Sequence, residues 1–413
     1  MKASVFSGTR DRNRRFKTTG NRRCVERLET RRLLSAAVSF PQVVGYPGIA
    51  DANHIAVADL NGDGRPDIVV IGQTDSATPQ TEVAVYVNKG DGTFGAPIVL
   101  PYSARTADAV AIGDFNGDGV PDIAVASFQD ASVSVFLGAG VIVGSPAPSF
   151  QPPVTTTFGT PFTGGTGLTY MQTGHFGTSS DGLVVTDSTD DKTLVLIGSG
   201  GGHFRTPFPI LNANGQNFNA GTFVLADFNG DGISDIAYAG GPGVVVQFGT
   251  SGGAFLSSSA FSYPVTGIPQ VMTAGVLTSS GKPDLIVATD TVTNTFNHTD
   301  YVNVLLNNGG GSFAPAVNYS LSHVPNAITL GDFNGDGSLD VATEDIGGNL
   351  DVFQNTGAGA LLAPVSFDAD SGTIFQMVGA DLNGDGKADI AAAGIDGIGG
   401  LQYSDSVLTF IEG

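Results

Sequence analysis

The sequence predicts an all-β protein in which seven four-stranded units close into a ring, a seven-bladed β-propeller. Three observations support this prediction. A nine-residue motif, Asp-x-Asn-x-Asp-Gly-x-x-Asp, occurs five times, and the spacing of its copies indicates a repeating unit of about 54 residues. Each unit also carries the same order of short apolar and β-branched segments, separated by Gly, Asn and Asp turns. A unit that recurs at a fixed period is typical of a stacked or circular array.

The five intact motifs are unevenly spaced. They begin at Asp59, Asp114, Asp227, Asp332 and Asp381, so two of the four gaps are about twice as long as the others. We therefore expect a degenerate copy inside each long gap, the first of them near His175. In the second copy the four polar positions of the motif are occupied by Val276, Thr278, Ser280 and Asp284. Counting both degenerate copies gives seven units.

The order of segments within a unit predicts four strands. A short apolar stretch such as Ala109–Gly113 precedes the Asp-rich loop, and a second run such as Asp122–Ala126 follows it. An alternating segment such as Val133–Gly138 predicts the third strand. A Gly turn then leads to a fourth strand that contains an F-x-x-P pattern, as in Gly92–Pro97.

The two chain ends predict how the ring closes. The last unit stops at its third strand, in Val407–Gly413, and lacks a fourth strand. A segment with the missing Phe-Pro pattern stands at the other end of the chain, in Val38–Val44. We therefore expect the N-terminal strand to close the last blade, because a closed ring leaves few exposed sheet edges.

Each intact motif has the composition of a calcium loop. Oxygen-bearing side chains at alternate positions around a sharp turn suit a hard cation such as Ca²⁺, and the glycine at position 6 permits the turn. We expect the side chains at positions 1, 3, 5 and 9 and the backbone carbonyl at position 7 to bind the ion. The expected ligands are Asp59, Asn61, Asp63, Arg65 and Asp67; Asp114, Asn116, Asp118, Val120 and Asp122; Asp227, Asn229, Asp231, Ile233 and Asp235; Asp332, Asn334, Asp336, Ser338 and Asp340; and Asp381, Asn383, Asp385, Lys387 and Asp389. The sequence thus predicts about five structural calcium sites, with no ion at the two degenerate copies.

Two other interpretations of the motif fit less well. An EF-hand or dockerin loop has a bidentate Glu at position 12 and flanking helices. Position 12 is occupied here by Val70, Val125, Tyr238, Thr343 or Ala392, and the flanks are predicted strands. A plain Asn-Gly or Asp-Gly hairpin turn would not require the outer two Asp residues at a fixed spacing.

Charge divides the chain into a basic N-terminal segment and an acidic body. Residues 1–36 hold 11 of the 18 Lys and Arg residues and only 3 of the 39 Asp and Glu residues. We therefore expect the body to repel nucleic acid and anionic membranes. No apolar run is long enough to span a bilayer, which predicts no membrane insertion. The only cysteine, Cys24, lies in the basic segment, so the body contains no disulfide.

The basic segment, residues 1–36, is expected to be an export leader that is disordered or removed. Within it, VERLETRRLLSA (Val25–Ala36) resembles the L-E-x-R-x-L-L-S motif found near the start of many large exported bacterial proteins. A disordered basic tail or a misplaced start codon is the alternative. Calcium-loop modules mostly work where calcium is millimolar, which also favours a secreted or cell-surface location.

The Asp-rich loops, the strand order and the F-x-x-P pattern together resemble the FG-GAP/VCBS repeat family, whose best-known members form the seven-bladed heads of integrin α subunits. The resemblance spans residues 37–413 and implies a single propeller domain there. In that family the calcium loops lie on one face and ligands bind the other. The binding loops it implies are Gly72–Gln80, Phe128–Asp130, Thr186–Lys192 and Thr289–Tyr301. The last is long and polar, typical either of a binding site or of a tolerated insertion.

The leading hypothesis for function is a monomeric, non-catalytic module that binds an extracellular protein or glycan in adhesion or surface assembly. It depends on the resemblance and on the lack of a catalytic motif. One alternative is a carbohydrate lyase or hydrolase with its site at the central channel, and another is a scaffold with no small ligand. An enzyme requires converging acid, base and Arg side chains, but the body has only Arg65, Arg105 and Arg205. A cluster of Arg105, Asp108 and His323 at the channel mouth would favour the enzyme.

Overall fold

Short β-strands make up nearly all of the regular structure. The computed structural model describes residues 38, 43–46, 49–73, 81–127, 129–140, 147–158, 170–187, 191–241, 243–294, 297–298, 300–345, 347–368, 373–395 and 408–411. The predicted leader, residues 1–36, lies outside them. The only helix in this described part is one short 3-10 turn, Ser257–Ser259. No helix there is long and apolar enough to cross a membrane.

Six blades are each built from one continuous stretch of chain, as four-stranded antiparallel sheets. The strand nearest the N-terminus, β1 (Val43–Tyr46), belongs to a different sheet. Blade 1 contains β2 (Ala50–Ala58), β3 (Asp67–Gln73), β4 (Thr81–Tyr86) and β5 (Ile98–Val99). Blade 2 contains β6 (Ala109–Gly113), β7 (Asp122–Ser127), β8 (Ser132–Phe136) and β9 (Val154–Thr157). Blade 3 contains β10 (Met171–Gly174), β11 (Gly182–Asp187), β12 (Lys192–Leu196) and, after the hairpin of β13 (Gly198–Gly200) and β14 (His203–Phe204), β15 (Phe208–Pro209).

The next three blades repeat this order. Blade 4 contains β16 (Phe223–Ala226), β17 (Asp235–Gly240), β18 (Gly243–Gln247) and β19 (Phe261–Pro264). Blade 5 contains β20 (Ile268–Gly275), β21 (Asp284–Asp290), β24 (Asp300–Leu305) and β27 (Val317–Leu321). Two hairpins interrupt it, formed by β22 (Val292–Asn294) with β23 (Asn297–His298) and by β25 (Asn307–Gly309) with β26 (Ser312–Phe313). Blade 6 contains β28 (Pro325–Gly331), β29 (Asp340–Asp345), β30 (Asn349–Phe353) and β31 (Val365–Asp368).

A further four-stranded sheet, which we call the closing sheet, combines strands from both ends of the body. It contains β32 (Thr373–Ala380), β33 (Asp389–Ile395), β34 (Leu408–Ile411) and, at its outer edge, β1. Strand β1 runs antiparallel to β34, with Val43 opposite Ile411 and Tyr46 opposite Leu408. The chain therefore closes its ring by backbone pairing between its two ends.

The innermost strands of these sheets meet in sequence around the ring. Strands β2, β6, β10, β16, β20, β28 and β32 each contact the next, and β32 also contacts β2. The prediction of an all-β propeller with four-stranded blades is therefore confirmed. The number of blades differs from the prediction, which was seven. Six are complete within one stretch of chain, and the seventh four-stranded sheet is a composite that depends on both ends.

The sequence had predicted that the fourth strand contains the F-x-x-P pattern. In the structure the strand begins after the pattern. In blade 1, Phe94 forms only an isolated bridge with Asn88, and β5 starts at Ile98, directly after Pro97. Within the described residues the closing strand is Val43–Tyr46, at the end of the predicted Val38–Val44, and residues 39–42 lie outside the described part. A proline has no N–H to donate to a strand ladder, which explains why pairing starts beyond it.

The apolar core is distributed between neighbouring sheets instead of filling one centre. Seven clusters of buried side chains each draw on two adjacent sheets. The residue at position 2 of every loop is buried, namely Leu60, Phe115, Phe176, Phe228, Leu277, Phe333 and Leu382. In three loops it is a Phe that meets, edge to face, the Phe following the Gly turn of the next blade, as in Phe115–Phe204, Phe176–Phe255 and Phe228–Phe313. These recurrent pairs fix the spacing of adjacent blades.

Candidate functional site: the Asp-rich loops and the axial cavity

The first Asp-rich loop shows how the motif folds. It joins β2 to β3, and the carboxylate of Asp59 accepts the backbone N–H groups of Gly62, Asp63 and Gly64 at 2.7, 3.1 and 2.8 Å. Gly64 has a φ of 84°, a conformation that costs little only for glycine. The Asp59 side chain therefore stabilises the turn by accepting three of its backbone N–H groups.

Positions 3 and 5 form two overlapping side-chain turns. Asn61 Oδ1 accepts the N–H of Asp63 at 2.9 Å, and Asp63 Oδ1 accepts the N–H of Arg65 at 2.9 Å. Both bonds recur in the other four intact loops. Because Asx turns of this kind are local, the motif itself is enough to specify the loop conformation.

The Asp at position 9 has a second role that the sequence analysis missed. Asp67 is fully buried, and its two oxygens accept the N–H groups of Leu60 at 3.2 Å and Asn88 at 2.9 Å. Burial is the largest influence on this group and raises its pKa to about 6, although the two amides lower it and the charges of Asp63 and Asp59 raise it again. The carboxylate therefore clamps the start of the loop to the end of the third strand.

The degenerate copy in blade 5 keeps this clamp without the other acidic residues. Asp284 Oδ2 accepts the N–H of Leu277 at 2.9 Å, and Oδ1 accepts the N–H of Asn307 at 2.7 Å. The hydroxyl groups of Thr278 and Ser280 accept the turn amides that the Asn and Asp side chains at positions 3 and 5 accept elsewhere. This loop is not expected to bind a metal ion, yet it retains the last Asp of the motif. That retention is the feature of the sequence from which the clamp could have been predicted.

The intact loops match calcium in donor chemistry but do not present a converged carboxylate cluster. Their polar groups are hard oxygen donors, as Ca²⁺ prefers. Among the described residues, no three Asp, Glu, His or Cys side chains lie close enough together to hold a metal ion. In the first loop, all three carboxylates, those of Asp59, Asp63 and Asp67, accept backbone amides. Positions 1, 3, 5, 7 and 9 of each intact loop remain the groups predicted to hold the ion.

A cavity of about 400 Å³ lies at the opposite ends of the innermost strands. Every blade and the closing sheet contribute to its lining, which consists of Asn53, His54, Asp108, Tyr170, Gly221, Thr222, Gln270, Val271, Asn326, Phe375 and Gln376. The cavity therefore lies on the axis of the ring. Its lining comes from the beginnings of the innermost strands, whereas the Asp-rich loops follow their ends. The axial cavity and the Asp-rich loops consequently occupy opposite faces.

Local irregularities in the innermost strands direct side chains toward this cavity. Strands β20, β28 and β32 each carry one extra residue relative to the strand beside them, and these residues are Gln270, Asn326 and Phe375. All three line the cavity. Strand β2 has a similar register shift that includes Asn53. Bulges re-aim side chains and are common beside functional sites.

A second cavity, of about 510 Å³, adjoins the first between blades 1 and 2. Arg105 and Asp108 both line it, and Arg105 Nε donates to Asp130 Oδ1 at 2.6 Å. His323 instead contacts Asp345, with Nδ1 and Oδ2 2.9 Å apart, and lines neither cavity. The three residues whose clustering would have favoured an enzyme are therefore not brought together.

The binding loops implied by the family resemblance fall partly outside the described residues, which omit 74–80, 128, 188–190, 295–296 and 299. Within the longest of these loops, β22 and β23 pair as a short hairpin. Tyr301 belongs to β24 and not to the loop, opposite Ser320 in the sheet.

One buried carboxyl group outside the loops gives a prediction for pH dependence. Glu344 is 1% exposed, and neither of its oxygens has a hydrogen-bond partner of normal geometry. Burial, aided by the charge of Asp345, raises its pKa to about 9. Between about pH 4.5 and pH 9, Glu344 is therefore ionised in the unfolded chain but protonated in the native state. The free energy of unfolding falls as pH rises through this range. We expect the difference in free energy of unfolding between Glu344→Gln and the wild type to change with pH. The variant should gain up to about 3 kcal/mol over the wild type between pH 4.5 and pH 7.

Urea denaturation of both proteins at the two pH values measures this difference. An equal effect of the substitution at pH 4.5 and pH 7 would contradict the raised pKa, since only a change in ionisation depends on pH.

The ring of four-stranded sheets with Asp-rich loops between first and second strands defines the chain as a repeat β-propeller. A profile of the FG-GAP-like repeat matches residues 59–125, 277–343 and 332–392. The chain thus carries FG-GAP-like repeats in three places, which confirms the predicted resemblance to that family. Human integrin alpha-7 is 40% identical over 98 residues, which make up 22% of this chain and 8% of integrin alpha-7. The shared region is thus a small part of that relative.

Solved structures share the fold at low sequence identity. A lectin of Agrocybe aegerita, solved for its specific recognition of non-reducing terminal N-acetylglucosamine, has a TM-score of 0.52 and 19% identity, covering 86% of this chain and 88% of the lectin. BBS1N, solved in complex with ARL6DN, has a TM-score of 0.52 and 11% identity, covering 90% and 96% of the two chains. At these identities the similarity concerns the fold alone.

Proposed function

We propose that this chain is an exported, calcium-stabilised propeller that binds an extracellular protein or glycan and catalyses no reaction. The closing sheet serves as its seventh blade. The observation that carries the proposal is that the two faces of the ring differ in structure. One face consists of turn-forming Asp-rich loops, and the other presents an axial cavity built by bulged strands on a rigid ring.

Binding is favoured over catalysis by the chemistry of the cavity. Its lining contains one carboxylate, Asp108, and no Lys or Arg. Burial lowers the pKa of the cavity residue His54 to about 4, so its imidazole is neutral at physiological pH. Hydrolysis or elimination at a sugar usually needs paired acid and base groups, and the cavity lining supplies no second carboxylate. The similar fold of the Agrocybe aegerita lectin is in keeping with a recognition module.

An extracellular location follows from three separate considerations. The relative that matches by sequence is an integrin subunit. The N-terminal segment resembles an export motif. Low-affinity calcium loops need the millimolar calcium found outside cells.

Calcium removal should destabilise the ring. Three Asp side chains share each intact loop, and their mutual repulsion is offset when a divalent ion binds between them. We expect about five Ca²⁺ ions per chain in calorimetric titration, and a melting temperature that falls in chelator. Mg²⁺ at equal concentration provides the control for ionic strength. Identical melting curves in calcium and chelator would refute the structural role of the metal.

The binding function itself is tested on an array of glycans and matrix proteins. Residues 37–413 should bind at least one class of ligand in calcium and lose it in chelator if the loops maintain the binding face. Folding of the applied protein is checked by circular dichroism. Absence of any binding by folded protein would overturn the proposed function.

A further inference from the structure

The axial cavity has the features of a small-molecule site and not of a gap left by imperfect packing. A volume of about 400 Å³ lies in the range of ligand pockets. Residues from every sheet reach it, so its shape is set by the ring as a whole. Three of its residues, Gln270, Asn326 and Phe375, are there because bulges place them there.

The lining predicts a neutral ligand that is rich in hydrogen-bonding groups. Four of its eleven lining residues, Asn53, Gln270, Asn326 and Gln376, have amide side chains, and each amide can both donate and accept. No cationic side chain lines it to balance an acid. Phe375 is 44% exposed, which leaves an aromatic face available for contact with an apolar ring surface.

Two polar atoms beside the cavity lack partners. Asn53 Oδ1 and His54 Nδ1 are buried, yet neither has a hydrogen bond, although the Asn53 amide nitrogen lies 3.4 Å from the carbonyl oxygen of Ala107. Buried polar atoms are satisfied in the great majority of cases, so two such atoms on adjacent residues call for a partner. Both atoms are covered by neighbouring protein atoms, so a ligand in the cavity would contact the exposed side chains instead.

We propose that the axial cavity binds one neutral sugar residue at the end of a glycan, through amide hydrogen bonds to its hydroxyl groups and stacking on Phe375. A pyranose carries hydroxyl groups around its rim and apolar C–H groups on its face, which matches a cavity lined by four amide side chains and one exposed aromatic side chain. This inference rests on the proposed binding function and assigns it a site and a ligand class.

Saturation-transfer NMR with the methyl glycosides of glucose, galactose, mannose, fucose, N-acetylglucosamine and N-acetylgalactosamine tests the site. We expect transfer to at least one neutral glycoside and none to glucuronate, since the lining has no cation. Phe375→Ala and Gln270→Ala should each weaken the binding by about tenfold or more. Both side chains are exposed, so both variants should fold.

Two matched variants control for the loss of surface groups. Phe261 is 48% exposed on the outer strand β19, and Gln151 is exposed between β8 and β9 on the face of the Asp-rich loops, so Phe261→Ala and Gln151→Ala should bind as the wild type does. The inference is overturned if no neutral glycoside shows transfer, or if the cavity variants bind as well as the controls. An array ligand that is retained by the cavity variants would leave the binding function in place and reject this site.

Discussion

Replacing Asp284 by Ala should lower the free energy of unfolding by about 3 kcal/mol, equally in calcium and in chelator. The substitution leaves the N–H groups of Leu277 and Asn307 without their acceptor in a buried position. Each such loss costs about 1–3 kcal/mol. The raised pKa of Asp284, caused chiefly by burial, shows that the carboxylate also bears a desolvation cost, which keeps the expected loss near the lower end of the range. Urea denaturation with and without chelator measures it.

Two variants make this result specific to the clamp. Asp336→Ala removes an exposed Asp from an intact loop, and its effect should be much smaller in chelator, where only its turn hydrogen bonds are lost. Ser280→Ala removes an exposed hydroxyl from the same loop as Asp284 and should cost less than about 1 kcal/mol. If Asp284→Ala behaved like Ser280→Ala, the last Asp of the motif would have no structural role in the degenerate copy.

Deleting residues 1–46 should destabilise the propeller by about 4 kcal/mol or more, whereas deleting residues 1–37 should have little effect. The longer deletion removes β1, which pairs with β34 over four residues, and also removes Val38, which is buried between blade 6 and the closing sheet. Each ladder hydrogen bond contributes about 1 kcal/mol and the buried Val side chain about 2 kcal/mol. Loss of β1 also exposes the edge of β34, which favours aggregation.

Thermal and urea unfolding of the two truncated proteins, with size-exclusion chromatography, measures these effects. A synthetic peptide of residues 38–49 should restore stability to the longer deletion when added in excess, because pairing of β1 is a backbone interaction. Equal stability of the two truncations would show that the ring does not depend on β1.

The sequence by itself determined the repeat, the strand order and the loop conformation. These depend on local chemistry. Asp59 and Asn61 form turns with amides a few residues away, and Gly64 is needed where φ is positive. The alternation of apolar and polar residues in strands and the fixed repeat period can likewise be recognised in the amino-acid sequence. The closing of the ring by both chain ends was also predictable, since one unit lacked a strand that the other end supplied.

Only the tertiary structure decided the features that depend on residues distant in the chain. The clamp role of Asp284 requires Asn307, which reaches it only when the third strand is in place. The Phe of the F-x-x-P pattern in blade 1, Phe94, is buried against residues of the closing sheet, a contact that the linear sequence does not reveal. The axial cavity is the clearest case. Asn53, Gln270 and Phe375 carry no motif, and they face one space only because seven sheets converge and because bulges turn them toward the axis.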